Sequence, residues 1–180
     1  MNRRHAILGL AATGAAMPLL RGTAIAQTAP LVPPGSVPTV SESEHKAMTL
    51  MGGTLAKQTS QLALERSQNL KVKQFATFEI AEQTAVAQVL TNSGNPPPVP
   101  LDAEHQAMLT SLQPLSGAAF DRAYVQNQLE SHKKLLQIQQ GYLDNTNRSE
   151  DGQHIAVLAR MSIQQHITML EELALTLPRG

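Results

Sequence analysis

The sequence predicts an all-α protein, an antiparallel up-down bundle of four long helices with one short extra helix in the crossover after the second. The chain is rich in Ala, Leu and Gln, which favour helices, and has three Phe, two Tyr and no Trp. No stretch alternates apolar and polar residues as a strand does, and long segments of helical period are separated by Pro- and Gly-containing turns. Four amphipathic helices joined by such turns bury their apolar faces best as a bundle.

Composition excludes several classes of function. The absence of cysteine removes disulfides, thiolate metal sites and thiol nucleophiles. Fourteen Lys and Arg balance fourteen Asp and Glu, so the chain lacks the positive field that nucleic-acid binding needs. The sequence also lacks a Gly-x-Ser-x-Gly elbow, a phosphate-binding glycine loop and a dinucleotide-binding fingerprint. An ordinary hydrolase, kinase or dehydrogenase is therefore not supported.

The first 26 residues have the pattern of a signal peptide. Arg3 and Arg4 precede the apolar stretch 6–20, and an Ala-Ile-Ala sequence ends at Ala26, which predicts cleavage before Gln27. The paired arginines resemble a twin-arginine signal, with the general secretory route as the alternative. The apolar stretch is too short to span a bilayer. We therefore expect export to the periplasm or beyond, and a mature chain without a transmembrane segment.

The rest of the chain divides into a tether and a helical domain. Residues 27–40 contain four prolines and no helical period, which predicts an extended tether before a bundle domain over 41–180. Ser41 and Glu44 have the spacing of a capping box, so helix one should begin there and end near Ser67. The predicted apolar stripe of helix one consists of Met48, Met51, Leu55 and Leu62.

The remaining helices are separated by clear stop signals. Helix two is predicted over 70–92, and the proline-rich segment 94–100 that follows it cannot be helical. Asp102 has the position of an N-cap for the short extra helix. Helix three is predicted over 118–144 and helix four over 153–177.

A glycine pair and two histidines lie within predicted helices or near their starts. Gly52 and Gly53 lie inside the predicted helix, where they indicate either a kink or the close approach of a neighbouring helix. His45 and His154 lie near predicted helix starts, where we expect solvated side chains rather than ligands.

Polar side chains fall on the apolar faces of three helices. At 100° per residue, Glu79 and Gln83 lie within the apolar face of helix two, and Glu82 lies at its edge. His132 and His166 lie on the inward faces of helices three and four. Glu79, His132 and His166 each lie within about one turn of the midpoint of their helix. In an antiparallel bundle with short turns, the helix midpoints share a layer. We therefore expect one carboxylate and two imidazoles to meet at the centre.

Two interpretations of this layer remain open. In the first, Glu79 pairs with the imidazoles, Gln83 or Gln128 satisfies the remaining groups, and no cofactor binds. In the second, the layer holds iron, manganese or zinc, with Glu82 and Gln83 as additional ligands. The spacing favours the first interpretation, because di-iron bundles need Glu-x-x-His on each of two helices and the sequence has no such pair of motifs.

Several of these positions belong to a wider pattern, which consists of Leu62-Ala63, Val72-Lys73, Phe75-Ala76, Phe120-Asp121, Tyr124, Gln128, His132 and His166. In this pattern the chain resembles the bacterial family called domain of unknown function 4142, over about residues 44–175. The resemblance implies an exported, ferritin-like bundle without an established activity, in which His132 and His166 match inward histidines. The chain departs from the family at Ala56, where a Glu is common, and at Gln83, where a His is common.

The sequence thus predicts an exported, soluble four-helix bundle with a non-enzymatic binding or stress-related role. The alternative is a ferritin-like metalloprotein with redox or metal-handling activity at Glu79, His132 and His166. A third hypothesis is an interaction module that docks a partner through helix one at Gly52 and Gly53. The sequence identifies neither a protein partner nor an oligomeric state.

Overall fold

The computed structural model describes residues 38–94 and 96–178, which form five α-helices. These are α1 (Glu42–Arg66), α2 (Leu70–Asn92), α3 (Ala103–Leu112), α4 (Gly117–Leu143) and α5 (Glu150–Thr176). The four long helices pack antiparallel, with the short α3 between α2 and α4 in the chain, which confirms the predicted fold class. The predicted signal peptide, its cleavage between Ala26 and Gln27, and residues 27–37 of the predicted tether lie outside the described residues.

Side-chain caps set most of the helix starts. The capping box at Ser41 is present as predicted, and Asp102 caps α3 by accepting a hydrogen bond from the backbone of His105. Ser149 accepts from the backbone N–H of Gly152 and starts α5 at Glu150, earlier than the sequence predicted. The turn before α5 is therefore shorter than expected, because a serine inside the predicted turn acts as the cap.

An apolar cluster fills the half of the bundle that contains the end of α1, the start of α2, the start of α4 and the end of α5. Its members are Ala63, Val72, Phe75, Ala76, Leu112, Phe120, Tyr124, Val125, Leu129, Leu170, Leu173 and Leu177. Burial of this apolar surface is the main favourable contribution to the packing of the four helices. Across residues 38–94 and 96–178, every helix is too short or too polar to cross a bilayer.

The inward face of α1 differs from the predicted apolar stripe. Met48 is 45% exposed, whereas His45, expected to be solvated, is fully buried. His45 stacks on Tyr142 with ring centroids 4.1 Å apart, and its Nε2 hydrogen-bonds Gln139 Oε1 at 2.6 Å. The hydrogen bond with Gln139 satisfies Nε2 of the buried ring, whereas Nδ1 has no hydrogen-bond partner among the described residues. The other inward residues of α1 include Thr49, Gly52, Gly53, Ala56, Thr59 and Ser60.

The glycine pair of α1 marks close contacts between helices. A Cβ atom at Gly52 would lie 2.7 Å from Leu135 Cδ2 of α4, and one at Gly53 would lie 2.6 Å from Gln83 Oε1 of α2. Both distances are shorter than a van der Waals contact of a carbon atom, so a Cβ atom at either position would displace its neighbour. Because α1 runs unbroken through both positions, the structure favours close approach over a kink.

Candidate functional site

Three side chains from three helices converge at the centre of the bundle. Oε2 of Glu79 on α2 lies 2.9 Å from Nδ1 of His166 on α5 and 3.5 Å from Nε2 of His132 on α4. The two imidazole nitrogens are 3.3 Å apart. Glu79 and His132 are fully buried and His166 is 7% exposed. The side chains that the helical faces placed inward therefore meet in one layer, as expected.

Phe75 covers one side of this cluster. Its ring centroid lies 5.3 Å from that of His166 and 6.2 Å from that of His132. Phe75 is also part of the apolar cluster, so the imidazoles lie against a surface that excludes water. A carboxylate in such surroundings is costly unless a positive charge or hydrogen-bond donors compensate it. The sequence placed Phe75 on the same face of α2 as Glu79 but gave no reason to assign Phe75 to the site.

The backbone of α4 fixes which ring nitrogen of His132 acts as the donor. Its Nδ1 lies 2.8 Å from the carbonyl oxygen of Gln128, one turn earlier on the helix. Because a carbonyl only accepts, Nδ1 carries a proton and donates it. In the neutral ring, Nε2 then carries a lone pair, and this is the nitrogen that faces Glu79 and His166.

Glu82 and Ser162 hold the outer side of His166. Nε2 of His166 lies 3.4 Å from Oε2 of Glu82, and the Ser162 hydroxyl donates to the same oxygen at 2.6 Å. Each histidine therefore has one nitrogen directed to the cluster and the other beside a fixed oxygen acceptor. The sequence placed Glu82 at the edge of its face but gave Ser162 no role. The sequence does place Ser162 one turn before His166 on α5, and this spacing could have indicated that the two side chains are neighbours.

The two glutamines considered for this layer behave differently. Nε2 of Gln83 donates to Oε1 of Glu79 at 2.9 Å, as the hydrogen-bonded interpretation expects. The side chain of Gln128 instead donates to α1, at the carbonyl of Ala56 and the hydroxyl of Thr59. Of the two alternatives, Gln83 and not the Gln128 side chain donates to the cluster. The contribution of Gln128 is the main-chain carbonyl that accepts from His132.

Opposing effects set the charges in the cluster. Burial raises the pKa of the Glu79 carboxyl, but the two neighbouring imidazoles outweigh it and leave the pKa below its usual range. Burial lowers the pKa of His166, but the carboxylates of Glu79 and Glu82 outweigh it and leave the pKa above its usual range. At neutral pH the site therefore holds an ionised carboxylate beside an imidazole with increased proton affinity.

The three converging atoms suit a metal ion. Ligand atoms about 2.0–2.1 Å from one ion lie about 2.8–3.4 Å from one another in octahedral or tetrahedral coordination. The three distances between Oε2, Nδ1 and Nε2, 2.9, 3.3 and 3.5 Å, are close to this range. Among the described residues, the buried Oε2 of Glu79 has two imidazole nitrogens within 3.5 Å but no hydrogen bond of aligned geometry. Ala56, on the inward face of α1, has no side-chain atom that could bind a metal.

Comparison with known proteins gives a single finding at the level of the family. The family model described as domain of unknown function (DUF4142) matches residues 33–173. The matched span contains α1 to α4 and all but the last residues of α5, and so includes the three converging side chains. No curated protein and no solved structure matches the chain.

Proposed function

The chain belongs to the DUF4142 family, and we propose that it is a metal-binding bundle in which Glu79, His132 and His166 hold one divalent transition-metal ion. The observation that carries the proposal is the convergence of Glu79 Oε2, His132 Nε2 and His166 Nδ1, separated by 2.9–3.5 Å. The proposal concerns binding of the ion, a metal-handling role, and requires no catalytic step.

The arrangement around the cluster favours this function over a purely structural network. Ligating histidines typically donate their second N–H to a carbonyl or carboxylate, which orients the ring and raises its basicity. His132 has such a partner in the Gln128 carbonyl, and Nε2 of His166 lies beside Glu82. A core network would be expected to align a donor with the buried Glu79 Oε2, which has no aligned partner in the described part of the chain.

The donor set limits which ions fit. Two imidazoles and one carboxylate suit zinc, iron(II) or manganese(II), whereas calcium prefers six to eight oxygen ligands. Three protein ligands leave further coordination positions for water. Because an imidazole binds a metal only through an unprotonated nitrogen, uptake should release protons and weaken as the pH falls.

A titration of metal-free protein tests the proposal. Zinc(II), iron(II), manganese(II) and cobalt(II) are titrated calorimetrically against wild type, Glu79→Gln and the matched control Asp121→Asn. Asp121 is a buried carboxylate on the same face of α4 as His132, outside the cluster. We expect one ion per chain in wild type and control, and at least about a hundredfold weaker binding in Glu79→Gln, because a charged ligand is lost.

Two results would contradict metal binding at this site. The first is the absence of stoichiometric binding of any of the four ions to wild type. The second is equal affinity in wild type and Glu79→Gln. Circular dichroism of each variant establishes that the helices persist, so that lost binding is not mistaken for unfolding. His154→Gln, at an exposed histidine on α5, serves as the control for adventitious imidazole binding.

We also propose export to the periplasm. This is supported by the paired Arg3 and Arg4 and by the small-residue sequence that ends at Ala26. Intact-mass measurement of periplasmic protein should give a chain that begins at Gln27 or within a few residues of it. Replacing both arginines with lysine should block export by the twin-arginine route, and unchanged export would indicate the general secretory route. Full-length protein confined to the cytoplasm would overturn the proposal.

A further inference from the structure

We infer that the metal ion reaches its site through the groove between α1 and α2, with Gln83 as the gate. The inference rests on the metal-binding function proposed above. Glu79 and His132 are 0% exposed, so an ion cannot reach them unless a side chain moves. The groove has a volume of about 300 Å³, and Gln83 forms part of its wall beside Gly53.

Gln83 separates the groove from the buried carboxylate. The residue lies one turn after Glu79 on α2, is 8% exposed, and is held to Glu79 Oε1 by one hydrogen bond of 2.9 Å. Its other amide atom, Oε1, lies against Gly53 and has no hydrogen-bond partner among the described residues. Rotation of this one side chain breaks a single hydrogen bond and exposes the carboxylate to the groove.

The lining of the groove suits an ion that is losing its hydration shell. Beside Lys57 and the apolar Leu50, Val86 and Ala87, its lining includes four neutral polar side chains, Thr49, Thr54, Gln58 and Gln61. Their hydroxyl and amide oxygens can replace water around a divalent ion one at a time, which keeps the cost of partial dehydration low. The free Oε1 of Gln83 is the last such oxygen before Glu79.

The opposite approach is less suited to an ion. A groove of about 290 Å³ between α2 and α5 reaches Glu82 but is otherwise lined mainly by Ala85, Val86, Val89, Ile155, Leu158 and Ala159. These side chains offer no oxygen to replace water. At its inner end the hydrogen bond between Ser162 and Glu82, and then the ring of His166, lie before Glu79.

Surface charge variants distinguish the two routes without altering the site. Gln61→Lys adds a positive charge at the α1–α2 groove, Lys57→Gln removes one there, and Ala85→Lys adds the same charge at the α2–α5 groove. In water, a unit charge ~10 Å from a divalent ion changes the energy of the ion enough to alter its rate of entry about fourfold. We expect Gln61→Lys to slow uptake about fourfold, Lys57→Gln to accelerate it similarly, and Ala85→Lys to change it little.

The measurement is stopped-flow absorbance of cobalt(II) uptake at low ionic strength, repeated at high salt, where screening should reduce the differences. A further variant, Gln83→Ala, lacks the gate. In this variant both the uptake of cobalt(II) and the removal of cobalt(II) by a chelator should be faster. Slower uptake in Ala85→Lys alone, or equal rates in all three charge variants, would overturn the route. A failure of equilibrium binding would instead overturn the proposed function itself.

Discussion

Glu42 links the start of α1 to the turn between α4 and α5. Its carboxylate accepts hydrogen bonds from the Tyr142 and Ser149 hydroxyls and forms an ion pair with Lys46 at 3.1 Å. Partial burial raises the pKa of Glu42, but these donors outweigh it and hold the pKa at about 2. One partly exposed carboxylate thus connects residues that are far apart in the chain.

This low pKa predicts a contribution to stability that depends on pH. Since folding lowers the pKa of Glu42 from 4.5 to about 2, its contribution is complete above pH 4.5 and is lost as the pH falls to about 2. Allowing for solvent screening, we expect Glu42→Gln to destabilise the protein by about 1 kcal/mol at pH 7. Urea unfolding of both proteins at pH 7 and pH 2.5 should show the difference shrinking at the lower pH. A constant difference would contradict the assignment.

At the scale of the element, the helix caps are not equivalent. Ser41 completes a capping box with Glu44 at the start of α1, whereas Ser116, the residue before α4, makes no side-chain cap. We therefore expect Ser41→Ala to lower the unfolding free energy by about 1 kcal/mol and Ser116→Ala to change it little. Denaturant midpoints of the two variants provide the comparison, and equal losses would show that the caps do not differ.

The two glycines of α1 allow a similar comparison within one helix. Alanine at either position gains about 1 kcal/mol of helix propensity. At Gly52 the new methyl group meets the packed side chain of Leu135, whereas at Gly53 it meets only the amide end of Gln83. We expect Gly52→Ala to lose about 1 kcal/mol net through overpacking and Gly53→Ala to be nearly neutral. Thermal unfolding measures both, and a stabilised Gly52→Ala would show that α1 and α4 are not in close contact.

At the scale of the whole molecule, a bound ion should stabilise the bundle because its ligands come from three helices. An ion at a hundred times its Kd should raise the unfolding free energy by about 2.7 kcal/mol. For a domain of this size that corresponds to an increase in Tm of about 10 °C. Scanning calorimetry with and without zinc(II) measures the effect, which a chelator should reverse and which Glu79→Gln should lack. An unchanged Tm at saturating zinc(II) would contradict a site that links three helices.

The sequence by itself determined the helices and the direction of most of their side chains. Proline-rich segments and capping residues such as Ser41 and Asp102 act locally, so helix limits follow from neighbouring residues. The 100° helical period placed Glu79, His132 and His166 on inward faces because burial acts on a whole face of a helix. These properties depend on residues close together in the chain, which is why they could be predicted.

Only the tertiary structure decided which inward atoms meet. The helical period gives the face of a side chain but neither its rotamer nor its partner on another helix. The proximity of Glu82 and Ser162 at His166, and the diversion of the Gln128 side chain to α1, depend on packing between helices. Likewise His45 is buried because Tyr142 and Gln139, both from α4, receive its ring. Such contacts join residues distant in the chain, and their geometry exists only once the bundle has formed.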